Sequence, residues 1–331
     1  MKKILMIATG GTIACRPDES GGLAPALSSE EIIEYAPEIK ELCELTMLQL
    51  FNLDSTNIGP EHWLKLAEAI RDNVRDYDGF VITHGTDTMA YTAAALSYLI
   101  QEPDVPVVLT GSQKSISSRD TDARSNLICA FRYAVSDKAW GVQIVFDGKV
   151  ILGTRARKIR SKSFSAFSSI DFPETAVFRD ERLITYIEKP AEYGPMRVYG
   201  RLRTDIFFLR LIPGITGDIF DYLGENYAAV VIEGFGVGGI PDYGDGSLLQ
   251  AVKKWSAAGK IAVFSTQVQH EGSDISVYEV GRAADGLPGI LEAGEMTPES
   301  VAAKLMWALG QTENREEAEK LFLKPVLFDI L

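Results

Sequence analysis

The sequence has little of what most metal-dependent or nucleic-acid-binding chains carry. Its three histidines, His62, His84 and His270, show no H-E-x-x-H or comparable spacing, so a zinc mechanism has no obvious ligands. Its three cysteines, Cys15, Cys43 and Cys129, lack C-x-x-C spacing and a neighbouring histidine. They argue against a metal site and a disulfide framework and fit reduced thiols in a cytoplasm. Positive charge is scarce: 33 Lys and Arg stand against 46 Asp and Glu, a net charge of −13. The electrostatic footprint for nucleic acid or an anionic membrane is therefore missing, and small solutes are the expected partners. No apolar run approaches the ~20 residues that span a bilayer. The opening M-K-K-I-L-M-I-A-T-G-G-T looks superficially like a signal peptide, but its apolar run is too short and flows into a glycine turn, so it reads as a first strand.

What is present is an alternation of short buried strands and amphipathic helices. The central stretch is F-V-I-T-H-G-T-D-T-M-A-Y, residues 80 to 91, in which an apolar strand gives way to a helix from Met89 to about Ile100. Thr86, Asp87 and Thr88 fall in the turn between them, beside the first free N–H groups of the helix, where a carboxylate or an oxyanion is favoured. The same residues are common N-caps, and this turn alone leaves open whether they do more than start a helix. A second turn of the same kind changes the balance. Lys3 to Ala8 is another strand, ending in Thr9-Gly10-Gly11-Thr12, where two glycines let backbone approach a ligand closely. A strand near Leu45 to Leu53 ends in Asp54-Ser55-Thr56-Asn57, and one from Val105 to Thr110 ends in T-G-S-Q.

Helices are expected to begin at Ser28, to run from Pro60 to about Asp76 and to cover Asp122 to Val135, with a hairpin at residues 142 to 152 around Asp147-Gly148-Lys149. The polar loop from Arg16 to Pro25 could act as a lid. In the basic run from Thr154 to Lys162, usually a solvated face, one lysine is expected to turn inward because Ser163-Phe164-Ser165-Ala166-Phe167 follows at once. Apolar periodicity fades between Arg182 and Thr204 and then resumes. The organisation expected is a larger N-terminal catalytic domain (1–181), a linker (182–204) and a smaller C-terminal α/β domain (205–331). The fold class is α/β, a doubly wound, mostly parallel sheet whose ligands lie beyond the carboxyl ends of its strands. Gly234 to Gly239, G-F-G-V-G-G, has the wrong spacing for a dinucleotide fingerprint and is followed by Pro241 rather than a helix.

With G-x-S-x-G absent, two nucleophilic routes remain. A triad using His84 and Asp87 is open on spacing but awkward on one tight turn. A threonine nucleophile partnered by lysine is the other. The motifs T-G-G-T-I-A (Thr9 to Ala14), D-S-T-N (Asp54 to Asn57) and H-G-T-D-T-M-A-Y-T (His84 to Thr92), with R-x-x-K (Arg155 to Lys158) and V-Y-E-V-G-R (Val277 to Arg282), resemble the bacterial L-asparaginases, specifically the cytoplasmic type I branch.

The resemblance implies a threonine-dependent amidohydrolase that converts L-asparagine and water to L-aspartate and ammonia through a β-aspartyl ester, with no cofactor and no metal, and with weak glutaminase activity. It implies Thr12 as primary nucleophile, faced by a Thr86, Lys158 and Asp87 set. Asp54, Ser55, Thr56, Thr86 and Asp87 would bind the substrate, with the α-carboxylate held around Ser55 and the α-ammonium on Asp87 and Asp54. Tyr278 and Glu279 would complete the site from a neighbouring subunit, making a homodimer or a dimer of dimers in the cytoplasm, with no nucleic-acid or membrane partner. The chain departs from the pattern at Leu23, where many members have a lid tyrosine, leaving Tyr278 as a candidate activator of Thr12. It departs again at Glu233 and Val268, the positions matching the arginine and cysteine of allosterically controlled members. Two other functions are weighed. An amidase subunit for a transfer-RNA amidotransferase is disfavoured because the chain opens on the first catalytic strand. A non-catalytic amino-acid-binding module is disfavoured because both threonines, Lys158 and Asp87 occur together.

Overall fold

The computed structural model describes residues 1–17, 23–25, 27–191, 193–241, 247–277 and 279–331. The chain divides into two compact units, Met1–Gly200 and Arg201–Leu331.

In the first unit, the strands that position the site are β1 (Lys3–Gly10), β2 (Glu44–Leu53), β3 (Gly79–Thr83), β4 (Val107–Thr110), β5 (Val142–Phe146) and β6 (Lys149–Leu152). A small hairpin, β7 (Ala156–Lys158) with β8 (Phe167–Ser169), stands apart, and β9 (Ala176–Arg179) with β10 (Arg182–Thr185) returns to the main sheet. Among the described residues that sheet has the order β10-β9-β6-β5-β4-β3-β1-β2. The first five strands of this sheet pair parallel, and β6, β9 and β10 are antiparallel additions at one edge. Fully buried Ile4, Met6, Val81, Val108 and Val145 explain why these strands read as continuous apolar runs, since helices cover both faces of a doubly wound sheet.

Helices α1 (Ser29–Glu34), α2 (Pro60–Asn73), α3 (Met89–Leu99) and α4 (Ala123–Ala134) connect the parallel strands. Ser28 starts α1 with a capping box: its hydroxyl accepts from the Glu31 N–H, and the Glu31 carboxylate accepts from the Ser28 N–H at 2.8 Å. The chain forms β1 first, adds β2 on one side, then crosses to add β3 on the other. That reversal places a topological switch point at the carboxyl ends of β1 and β3, where ligands of such sheets bind.

The expected hairpin forms, with Asp147 (φ 50°) and Gly148 (φ 71°) as the left-handed pair of its turn. The expected linker is corrected. Arg182–Thr185 is an edge strand of the main sheet, Arg197–Val198 pairs with Ile100–Gln101, and the units divide between Gly200 and Arg201. An edge strand with alternate residues in water shows little apolar signal, so it reads as a loop. Of the expected lid, residues 16–25, the two ends pair as an antiparallel ladder, Arg16 opposite Ala24 and Pro17 opposite Leu23, and residues 18–22 lie outside the described residues.

The second unit is a four-stranded parallel sheet in chain order: β11 (Ile206–Arg210), β12 (Ala229–Gly234), β13 (Ile261–Thr266) and β14 (Ile290–Glu292). Its longer helices are α5 (Ile219–Asn226), α6 (Ser247–Ala257), α7 (Pro298–Gln311) and α8 (Arg315–Leu323). Phe220, Val252 and Trp255 pack on Val230, Ile232 and Phe264. Gly234 to Gly239 forms a tight turn closed by a Phe235 to Gly239 bridge, not a helix-opening phosphate loop. A fully buried ion pair, Lys304 Nζ to Asp329 Oδ2 at 2.7 Å, fastens the chain terminus to α7. Among the described residues no helix is long and apolar enough to cross a membrane.

Candidate active site

The site is built from three strand ends pressed together. Gly10 (φ 99°) and Gly11 (φ 80°) end β1 in a conformation that L side chains rarely adopt. A Cβ on Gly11 would lie 2.3 Å from the Gly85 nitrogen, and one on Gly85 would lie 2.6 Å from Ser55 Oγ. The turns after β1, β3 and β2 are therefore in close contact, and Gly11 and Gly85 are each followed by a threonine, Thr12 and Thr86. Thr12 opens a 3₁₀ turn, Thr12–Ala14, in which Ile13 and Ala14 are buried and Thr12 itself is half-buried.

Ser55 is buried, and its carbonyl accepts a 2.6 Å bond from Thr88 Oγ1, which ties the β2 end to the start of α3. Asp54 caps the 3₁₀ turn Ser55–Asn57: its Oδ1 accepts from the Thr56 N–H and the Thr56 hydroxyl, both at 2.8 Å. Asp54 and Thr56 are thus at the expected strand end, exposed and bonded to one another.

Lys158 arrives from the β7–β8 hairpin, where it pairs with Phe167. Phe167 is buried edge-on against Phe146 (5.0 Å between ring centroids), which anchors the hairpin to the sheet and turns the lysine inward. Lys158 Nζ donates to Thr86 Oγ1 at 2.8 Å and to Asp87 Oδ1 at 2.6 Å. The lysine side chain is 16% exposed and the aspartate 57%, so the pair opens to solvent on the carboxylate side.

Two residues outside the expected set belong to this cluster. Gln113, in the T-G-S-Q end of β4, accepts the Thr86 hydroxyl on Oε1 at 3.1 Å. The signal for it was its place as a fourth polar strand end; an amide carries no motif of its own. His84 lies fully buried beneath the turn, and desolvation pushes its pKa down to about 4. Its Nδ1 faces the Gly85 carbonyl at 2.7 Å and so must carry the proton. The bare Nε2 then accepts from Thr92 Oγ1 (2.9 Å), which itself accepts from Trp63 Nε1 at 3.0 Å. With both ring nitrogens committed to Gly85 and Thr92, His84 braces the turn rather than acting as the base of a triad with Asp87. Burial, reinforced by the Asp54 carboxylate, pushes the Cys15 thiol above its ordinary value, so Cys15 is a neutral packing group.

Of the residues expected from a neighbouring subunit, Glu279 is exposed at the start of a one-turn helix in the second unit, and Tyr278 lies outside the described residues. Among the described residues no group of three or more His, Cys, Asp or Glu is arranged to hold a metal ion. What the cluster can do chemically is bring a hydroxyl, a lysine and a carboxylate to the N-terminus of a helix, beside a second threonine on a glycine turn.

Comparison with known proteins identifies the family. Residues 3–191 match the family model described as Asparaginase, N-terminal, and residues 205–322 match the Glutaminase/Asparaginase C-terminal domain. The chain is 38% identical over 329 residues to an L-asparaginase of Thermococcus kodakarensis, covering 99% of each. It is 36% identical to a subunit of the glutamyl-tRNA(Gln) amidotransferase of Pyrococcus furiosus, over 97% of this chain and 75% of that one. The solved structure of L-asparaginase I from Vibrio cholerae superimposes with a TM-score of 0.88 at 29% identity, over 100% of this chain and 99% of that one. The doubly wound first unit, the smaller α/β second unit and the matches over both place this chain in the asparaginase family.

Proposed function

We propose that this chain hydrolyses the side-chain amide of L-asparagine to L-aspartate and ammonia without a cofactor. The observation that carries the reading is Lys158 Nζ held at 2.8 Å from the Thr86 hydroxyl and 2.6 Å from the Asp87 carboxylate, on the strand end beside the Thr12 turn. A threonine hydroxyl is inert near neutral pH unless a base takes its proton and donors meet the oxyanion. In this mechanism Thr12 Oγ1 attacks the amide carbon and the C–N bond breaks. Ammonia departs with the proton that Thr12 gave up, leaving a β-aspartyl ester. Water then adds to the ester carbon and returns a proton to Thr12 as the C–O bond breaks. Thr86, Lys158 and Asp87 serve as the proton-handling set. Ser55 and the backbone around it hold the α-carboxylate near the start of α3, where helix N–H groups favour an anion. Asp87 and Asp54 hold the α-ammonium, with Thr56 fixing the orientation of Asp54.

The working unit in this reading is a homodimer or a dimer of dimers, in which Tyr278 and Glu279 of one subunit complete the site of another, and Tyr278 stands in for the lid tyrosine that Leu23 replaces. The similarity to an L-asparaginase I supports the type I branch, and the free cysteines fit a cytoplasmic location.

Ammonia release from asparagine and from glutamine by the purified protein tests the proposal. Asparagine is expected to be preferred, because a substrate clamped at its α end places glutamine's amide one methylene beyond Thr12, a difference of about 1–3 kcal/mol. Aspartate binding without ammonia release would replace the enzyme by an amino-acid-binding module. Equal kcat/KM for the two amides would overturn the clamp.

A further inference from the structure

Thr86 has one proton and two claims upon its oxygen. Lys158 Nζ donates to it at 2.8 Å, and Gln113 Oε1 lies 3.1 Å away on another side. The orientation of the Gln113 amide is fixed by its other end: Nε2 faces two carbonyls, Ser163 O at 3.1 Å and Arg160 O at 3.5 Å, which accept and never donate. The amide oxygen must therefore face Thr86, and it must receive the Thr86 proton. The hydrogen-bond direction at rest is Lys158 to Thr86 to Gln113.

The backbone of Gln113 is held as firmly as its side chain. The nearly buried Asp122 carboxylate accepts the N–H groups of Gln113 (3.0 Å) and Lys114 (3.1 Å) and the amide of Asn126 at 3.2 Å. Asn126 also donates to the Gly111 carbonyl at 2.9 Å. A Cβ on Gly111 would lie 2.1 Å from the His84 carbonyl, so this turn is pressed against the one that carries Thr86. The same loop reaches the Thr12 turn: Ser115 Oγ donates to the Cys15 carbonyl at 2.5 Å, and Ile116 N–H to the Ile13 carbonyl at 3.2 Å. One loop thus touches the nucleophile's turn, the second threonine and the segment that follows Lys158.

We propose that Gln113 is a positioning residue that sets the donor direction of the Thr86 hydroxyl, keeping its lone pair aimed at Lys158 and its proton on the amide until a substrate group competes for it. The proposal rests on the asparagine-hydrolysis reading above. Gln113 gains and loses no proton. It ranks the orientations of a hydroxyl that would otherwise rotate freely. Once ammonia or water lies within reach of Thr86, the hydroxyl turns from the amide to that group.

Gln113→Met keeps the length of the side chain and removes the acceptor. It is expected to lower kcat about ten- to a hundredfold, the range for losing one hydrogen bond to a reacting group, with KM changed less than about threefold. Gln113→Glu supplies the test that a purely structural role would not pass. Ionised, the carboxylate would face two carbonyls. Protonated, it reproduces the amide, donating to Ser163 O and accepting from Thr86. Its kcat is therefore expected to rise toward wild type as pH falls, an acid-side rescue that the wild-type profile lacks. Wild-type kcat in Gln113→Met, or a Gln113→Glu profile parallel to wild type, would overturn the proposal alone. Wild-type protein that releases no ammonia would overturn the function and the proposal with it.

Discussion

The two units each contain a lysine bonded to an aspartate at nearly the same distance, and only one of the pairs is open to a solute. Lys158 and Asp87 meet at 2.6 Å with 16% and 57% of their side chains exposed. Lys304 and Asp329 meet at 2.7 Å with both side chains fully buried. In the first pair the ammonium has a hydroxyl as its second partner and the carboxylate looks into water, so a proton and a charged ligand can both arrive. In the second the ammonium lies 5.6 Å from the centre of the Phe322 ring, and Asp329 Oδ1 accepts the Val326 N–H at 2.7 Å. That carboxylate holds chain, and nothing can reach it. Desolvation draws the pKa of Lys304 below its ordinary value, with Asp329 opposing the shift. Access, rather than the ion pair itself, distinguishes the two.

Thr12→Val is the harshest test of the contrast, since both pairs stay intact while the proposed attacking oxygen is removed. Turnover of asparagine should fall by about 10⁴-fold or more, with aspartate binding retained because its charged groups are held elsewhere. Near-normal activity would move the nucleophile to Thr86.

Lys158→Met should lower kcat by about 10²–10⁴ with the melting temperature little changed, because Asp87 then simply faces water. Lys158→Arg should fail similarly, since guanidinium does not give up a proton in this range. An arginine variant with wild-type kcat would show that positive charge alone suffices.

Lys304→Met should do the reverse, leaving kcat unchanged while costing about 3–5 kcal/mol of unfolding free energy, because Asp329 is left charged and buried. Pairing it with Asp329→Leu should recover most of that loss in urea unfolding. A Lys304→Met protein as stable as wild type would mean that the buried pair fastens nothing.

His84 sharpens the contrast as a buried group kept uncharged. Its folded pKa of about 4 lies below the ordinary 6.5, so the unfolded chain takes up a proton that the folded one refuses. Its share of stability is complete above about pH 6.5 and is lost as pH falls toward 4, amounting to about 3 kcal/mol. His84→Gln, compared with wild type by urea unfolding at pH 7 and pH 5, should show a shallower acid loss. Identical slopes would remove His84 from the acid limb.

Much of the first unit was legible because β1, β3, β4 and β5 are buried on both faces and the turns carry their own chemistry. Thr12, Ser55, Thr86 and Asp87 stand where strands end, and for Thr12, Thr86 and Asp87 that position can be read from an apolar run broken by glycine. The second unit was legible where apolar periodicity resumes, in the fully buried strands β12 and β13. Two elements with one exposed side were not. Arg182–Thr185 pairs on one side only, and Arg315–Leu323 buries only Ala318 and Phe322, so neither shows a clean period.

Local order along the chain determined the two α/β units, the polar strand ends and the candidate hydroxyls and carboxylates, because each depends on neighbours a few residues away. Which ends meet was decided by the strand order alone, since a Gly11 that touches Gly85 and a Gly85 that touches Ser55 depend on β1 lying between β2 and β3. Lys158 could be suspected of turning inward, but its reach to Thr86 and Asp87 depends on a two-stranded hairpin held by Phe167 against Phe146. Gln113 and His84 gained their places only in three dimensions. Hydrogen-bond direction is set by what surrounds a group on every side, and a linear sequence records only what precedes and follows it.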